Sequence, residues 1–93
     1  VGIVWDEPKR LEYISKHGFD FAGLNDAFFE NSAIIPAARG RLKALGTFSS
    51  RMLVIIFFAL GREGISVISM RLANRKERRQ YEEALARTST HHR

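Results

Sequence analysis

The chain of 93 residues has no cysteine. That absence removes a disulfide framework and every metal site built on thiolates, and it fits a protein made for the cytoplasm. Histidine is scarce as well: only His17, His91 and His92 could ligate a metal through nitrogen. No long apolar run is present. The longest, Met52 to Leu60, is nine residues, about half of what a membrane-crossing helix requires, and reads as a buried strand. The opening Val1-Gly2-Ile3-Val4-Trp5-Asp6 lacks the basic and then apolar pattern of a secretory signal. Also missing are a Walker loop, a nucleophile elbow, an HExxH motif and the clustered carboxylates of two-metal sites.

What the chain does hold is enough apolar residue, 45%, for one modest core, and its length suits a single domain. We place that domain at residues 1–87 and expect a flexible C-terminal tail at 88–93. Fifteen Lys and Arg stand against ten Asp and Glu, a formal charge of +5, which favours anionic partners through long-range attraction.

The order of elements follows from local signals. Ile3-Val4-Trp5 reads as a short strand. Asp6 before Pro8 reads as a helix N-terminus, with Leu11 and Ile14 on one face and Gly18 as the stop. Asp20 caps a second helix in which Phe21, Leu24 and Phe28 share a face. Ala33-Ile34-Ile35 is β-prone and Pro36 ends it. Residues Arg41 to Phe48, Met52 to Leu60 and Ile65 to Arg71 then read as strands, joined by turns at Phe48-Ser49-Ser50-Arg51 and Gly61-Arg62-Glu63-Gly64. Alternation puts Ile65, Val67 and Ser69 on one face of the last strand and Ser66, Ile68 and Met70 on the other. Asn74 with Glu77 resembles a capping box and opens a helix from about Arg75 to Ala86, with Tyr81, Ala84 and Leu85 on one face and Arg75, Lys76 and Arg79 on the other. The expected fold class is α+β: an antiparallel sheet of about four to five strands, two N-terminal helices and a C-terminal helix.

The densest chemical signal runs from Arg71 to Arg79, where five of nine residues are basic. Helix N-terminal amides and bidentate guanidinium groups both suit a phosphate, so this strand-to-helix joint can grip a polyanion backbone. The same run also reads as a solvated helix face on which Glu77, Glu82 and Glu83 pair within the helix. Lys16-His17 closes the first helix, where a cation is favoured and a histidine is suited to proton transfer. Tyr13, Tyr81 and Trp5 are candidates for base stacking, although aromatic residues more often serve the core. Arginines aimed at one phosphate, with a histidine, lysine or tyrosine, would suffice for metal-free RNA cleavage, in which the substrate's own 2′-hydroxyl is the nucleophile.

Three stretches, taken together and in order, resemble the BrnT family of toxins. They are Val4-Trp5-Asp6-Glu7-Pro8-Lys9-Arg10; Lys16-His17-Gly18 with Asp20-Phe21; and Val67-Ile68-Ser69-Met70-Arg71 with Asn74-Arg75-Lys76-Glu77-Arg78-Arg79-Gln80-Tyr81-Glu82. The resemblance runs from about Ile3 to Glu83. It implies a RelE-like ribonuclease toxin of a bacterial type II toxin-antitoxin pair, without a cofactor, that cuts RNA and arrests translation and growth. The implied partner is a BrnA-type ribbon-helix-helix antitoxin, which carries the pair to promoter DNA, in a heterotetramer. Carried over residue by residue, Arg71, Arg62 and Arg41 would hold the scissile phosphate, and His17, Lys16 or Tyr81 would move protons. Arg75, Lys76, Arg78 and Arg79 would follow the RNA backbone or the antitoxin. The alternative is a non-catalytic RNA-binding or antitoxin-binding module of the same fold.

Overall fold

The computed structural model describes residues 2–91, with side chains through Arg87. The chain opens with strand β1 (Gly2–Val4) and helix α1 (Glu7–His17). Asp6 caps α1 by accepting from the Lys9 N–H, and Gly18 ends it in the left-handed conformation that a residue without Cβ adopts cheaply. The second helix expected from Asp20 is in fact two pieces. Asp20 caps only a single 3-10 turn, Phe21–Gly23, and Asn25 then caps a separate short helix α2, Asp26–Glu30. Each side-chain oxygen claims a backbone N–H and restarts the helix, yet Phe21, Leu24 and Phe28 all reach the core as their spacing requires.

Strands β2 (Ala33–Pro36), β3 (Leu42–Phe48), β4 (Arg51–Leu60) and β5 (Gly64–Leu72) follow, and helix α3 (Arg75–His91) closes the chain. The five strands form one sheet in the order β1-β5-β4-β3-β2. Strands β2 to β5 are the expected antiparallel meander, with the apolar run of β4 at its centre. The sheet as a whole is mixed, because β1 lies parallel to β5 at the edge. The intervening chain is long enough to make that parallel crossover. The turn between β3 and β4 has positive φ at both Ser49 and Ser50, the geometry that matches the twist of a two-residue hairpin. The α3 backbone stays helical to His91, past the end expected at Ala86, while the rest of the 88–93 tail lies outside the described residues. Among those described, no helix is long and apolar enough to cross a membrane.

Both faces of the sheet are used. On one, Phe21, Leu24 and Phe28 pack on Leu53, Ile55 and Phe57 of β4 and on neighbouring strand residues. Gly46 lies under Phe28, whose ring would stand 3.1 Å from a Cβ there. On the other face, Leu45, Val54 and Ala73 form a smaller cluster with Tyr81 of α3 against it. Helix α1 buries no residue completely, and Leu11, expected on its inner face, is 54% exposed. It is attached by the Tyr13 ring, 5.2 Å from that of Phe21, and by an ion pair from Arg10 to Asp20 (2.9 Å), while Arg10 also pairs with Glu7 of the same helix (2.6 Å), which accepts from the Trp5 indole (2.9 Å).

One local irregularity changes the reading of β5. Phe57 pairs with Val67 and Ile56 with Ser69, so Ile68 is an extra, unpaired residue, a β-bulge. Alternation therefore inverts across it. Met70, expected opposite to Ile65 and Val67, joins them in the larger cluster. Ser69 and Arg71 pair with Ile56 and Val54, whose side chains lie on the α3 side.

Ile55 is fully buried in the central strand. Truncating it to alanine should cost about 2–5 kcal/mol, read as a lower urea midpoint at unchanged slope. A loss well below 1 kcal/mol would mean that this part of the sheet is not the core.

Candidate nucleic-acid interface

At the joint between β5 and α3 the capping box is reciprocal. The Asn74 N–H donates to Glu77 Oε1 (2.9 Å) and the Glu77 N–H donates to Asn74 Oδ1 (2.8 Å). Glu77 is not the solvated, intrahelically paired residue that the sequence suggested. Its side chain is 3% exposed, and an ionised carboxylate so placed needs charged partners. Arg71 supplies a two-pronged one, donating from both terminal nitrogens to the two carboxylate oxygens at 2.8 Å each. Lys43 adds a third contact to Oε2 at 3.1 Å. These bonds, the Arg71 ones foremost, hold the Glu77 carboxyl at about 2, against an ordinary 4.5, with burial opposing. The same pairing raises the Arg71 guanidinium, and Tyr13 adds a smaller attraction of the same sign.

Arg71 keeps 41% of its side chain exposed, so its outer edge faces solvent. Lys43 belongs to the same sheet face, since β3 alternates Lys43 and Leu45 toward α3. Arg41, two residues back, sets its guanidinium 5.8 Å from the centre of the Phe58 ring. Arg71, Lys43 and Arg41 thus form a diagonal of cations across three strand rows, spaced by steps of about 6.6 Å along the strands. Lys43 was not picked out from sequence. Only its contact with Glu77, 34 residues away, reveals it, and no local pattern carries that information.

The other nominated residues are distributed more widely. Lys16 and His17 are exposed at the end of α1, with Lys16 paired to Glu12 (3.3 Å) and the His17 ring 5.2 Å from that of Tyr13. Arg62 sits in the exposed turn between β4 and β5, seven strand residues from Arg71, on the order of 20 Å. It does not share a phosphate with Arg71. Tyr81 packs on Leu45, Val54 and Ala73 and lines a groove beside Glu30 and Asn31. It stands one helical turn beyond Glu77, on the face of α3 that meets the sheet. Arg75, Lys76, Arg78 and Arg79 are all exposed on α3 and make no ion pair among the described residues. Arg78 lines a separate groove with Arg51 and Glu82. Among the described residues no three His, Asp or Glu side chains gather as a metal site.

A small α+β domain with a cationic diagonal on one sheet face, and further cations on the helix beside it, is of the class that binds a polyanion. The family described as "Ribonuclease toxin, BrnT, of type II toxin-antitoxin system" has a sequence model that matches residues 5–77. The match thus spans the fold from Trp5 to the buried Glu77. The chain is also similar to the Brucella abortus ribonuclease toxin BrnT, known from a crystal structure. Identity is 45%, the TM-score is 0.74, and the alignment covers 81% of this chain and 99% of that one. Among curated proteins, none matches the chain. The chain belongs to the BrnT family of ribonuclease toxins of type II toxin-antitoxin systems.

The depressed Glu77 value has a pH consequence. A carboxylate whose folded value is lowered contributes stability that is complete above about pH 4.5 and is lost as pH falls toward 2. The expected contribution is on the order of 3 kcal/mol. Glu77→Gln should therefore be less stable than the parent at pH 7, with the difference in urea unfolding closing between pH 4.5 and 2. A difference that ignores pH would show that charge at Glu77 is not what holds the joint.

Proposed function

We propose that the chain is a metal-independent endoribonuclease, acting in the cytoplasm, that arrests translation and growth. The observation that carries this reading is Arg71. Its inner edge is fixed by a buried carboxylate, and its outer edge is open on a basic face. A scissile phosphate on that outer edge would meet a pre-oriented donor, which is how charge developing in a transition state is stabilised at little reorganisation cost. In the reaction the 2′-oxygen bonds to phosphorus and the bond to the 5′-oxygen breaks. The products are a cyclic phosphate and a 5′-hydroxyl end. The protein must only orient the phosphate and move two protons.

Within this reading Arg71 and Lys43 hold the phosphate, and Arg41 binds farther along the same face. His17, whose ring lies 5.2 Å from that of Tyr13, would carry the protons. Lys16 sits beside it on α1. Tyr81, one turn along α3 from Glu77, stays a candidate for proton transfer, while Arg62 lies at the other end of β5 from Arg71. Arg62 instead offers a distant backbone contact. Arg75, Lys76, Arg78 and Arg79 follow RNA or meet an acidic part of the antitoxin. The partner is a BrnA-type ribbon-helix-helix antitoxin, through which alone the toxin reaches promoter DNA, in a heterotetramer. One observation favours the rival of a non-catalytic binder: Glu77 already engages both terminal nitrogens of Arg71.

Purified protein incubated with total cellular RNA in EDTA should degrade it, and Arg71→Ala should slow this by roughly 100-fold or more, the scale of losing one donor to a developing anion. Intact RNA with the parent protein, together with normal growth on induction, would favour the binder. Equal cleavage by both proteins would remove Arg71 from the site.

Native mass measurement of the chain co-expressed with its antitoxin should give two copies of each. Any other stoichiometry would rule out the heterotetramer.

A further inference from the structure

Among the described residues, the sheet face that carries Arg71 is covered at one end only. Helix α3 lies over Leu45, Val54 and Ala73. Two rows farther along β4, alternation brings Phe58 to the same face, where it is 39% exposed, with Leu60 beyond it at 48%. Phe58 pairs with Ser66 of β5, so a hydroxyl stands beside the ring. On its other side is the guanidinium of Arg41, 5.8 Å from the ring centre. The Nε of Arg41 is buried yet has no hydrogen-bond partner.

We propose that the Phe58–Arg41 pair is a base-stacking subsite: an unpaired nucleobase of single-stranded RNA lies on it while the phosphate is held at Arg71. The inference rests on the ribonuclease reading and adds to it a residue that determines which nucleotide is bound near the cut. Two features select a base over an apolar protein partner. The platform includes a planar cation, and guanidinium planes and aromatic faces both stack on bases. It continues the diagonal of Lys43 and Arg71, two strand rows or about 13 Å from the latter, so a strand whose backbone follows those cations passes over it.

Stacking on one aromatic residue is lost on truncation with a roughly 5- to 100-fold fall in affinity. The probe is a short single-stranded oligoribonucleotide with 2-aminopurine at successive positions, 2′-O-methylated to block attack, and the readout is fluorescence quenching on binding. The parent protein should quench one position most strongly, and Phe58→Tyr should do the same. Phe58→Leu, which keeps apolar bulk without a ring, and Arg41→Lys, which keeps charge without a plane, should each weaken that quenching. On the unmodified oligonucleotide Phe58→Leu should raise KM by roughly the same factor with kcat little changed, the mark of a contact made equally in ground and transition states. Quenching and KM unchanged in Phe58→Leu, with RNA still cut, would overturn the subsite and leave the ribonuclease reading standing. Unchanged RNA behaviour with weakened antitoxin capture would overturn it too, making Phe58 a protein contact. If the parent protein neither binds nor cuts RNA, both readings fall.

Discussion

The carboxylate of Glu77 is withdrawn from water at the joint where β5 hands over to α3. Burying such a charge costs several kcal/mol unless partners replace its hydration. Here the replacement comes from three directions: the Asn74 backbone N–H at the helix start, Arg71 from β5, and Lys43 from β3. The one carboxylate therefore fixes the register of the helix, the position of the helix on the sheet, and the rotamers of two long cationic side chains. Those side chains would otherwise lose much of their conformational freedom on meeting a ligand. Helix α3 needs this anchor. Four basic residues in its first turns oppose the positive N-terminal end of the helix dipole, each by some tenths of a kcal/mol, and the buried acidic cap offsets them.

Much of this was legible from the sequence because the signals are local. Asp6, Pro8 and Gly18 bound α1 as their backbone preferences dictate, the paired serines form the hairpin, and Asn74 with Glu77 makes the cap. The opening Trp5-Asp6-Glu7 and Arg10 likewise explain themselves, since Glu7 receives the Trp5 indole N–H and pairs with Arg10. These contacts fix the start of α1, and Arg10 also ties it to Asp20. What stayed hidden depends on contacts remote in sequence. That Glu77 is buried follows from Lys43 and Arg71 converging on it. That Leu11 is exposed follows from α1 meeting the core through Tyr13 and not through Leu11. The candidate site was legible as a basic stretch, and its three-dimensional grouping was not: Lys43 joins Arg71 on Glu77, while Arg62 lies at the far end of β5.

The β-bulge at Ile68 sets which face Arg71 occupies. Strict alternation along β5 would place Arg71 on the same face as Ile65 and Val67, under the helices that cover the larger core. A guanidinium there would be surrounded by Phe21, Leu24 and Met70-type neighbours with no carboxylate to meet it. The extra residue shifts the phase by one position, so that Met70 takes the buried place and Arg71 turns toward Glu77. Bulges of this kind re-aim a side chain where pairing must otherwise continue. In this chain the re-aimed side chain is the arginine on which the proposed chemistry depends. The irregularity that sequence alternation could not anticipate is thus what turns Arg71 toward α3 and its buried carboxylate.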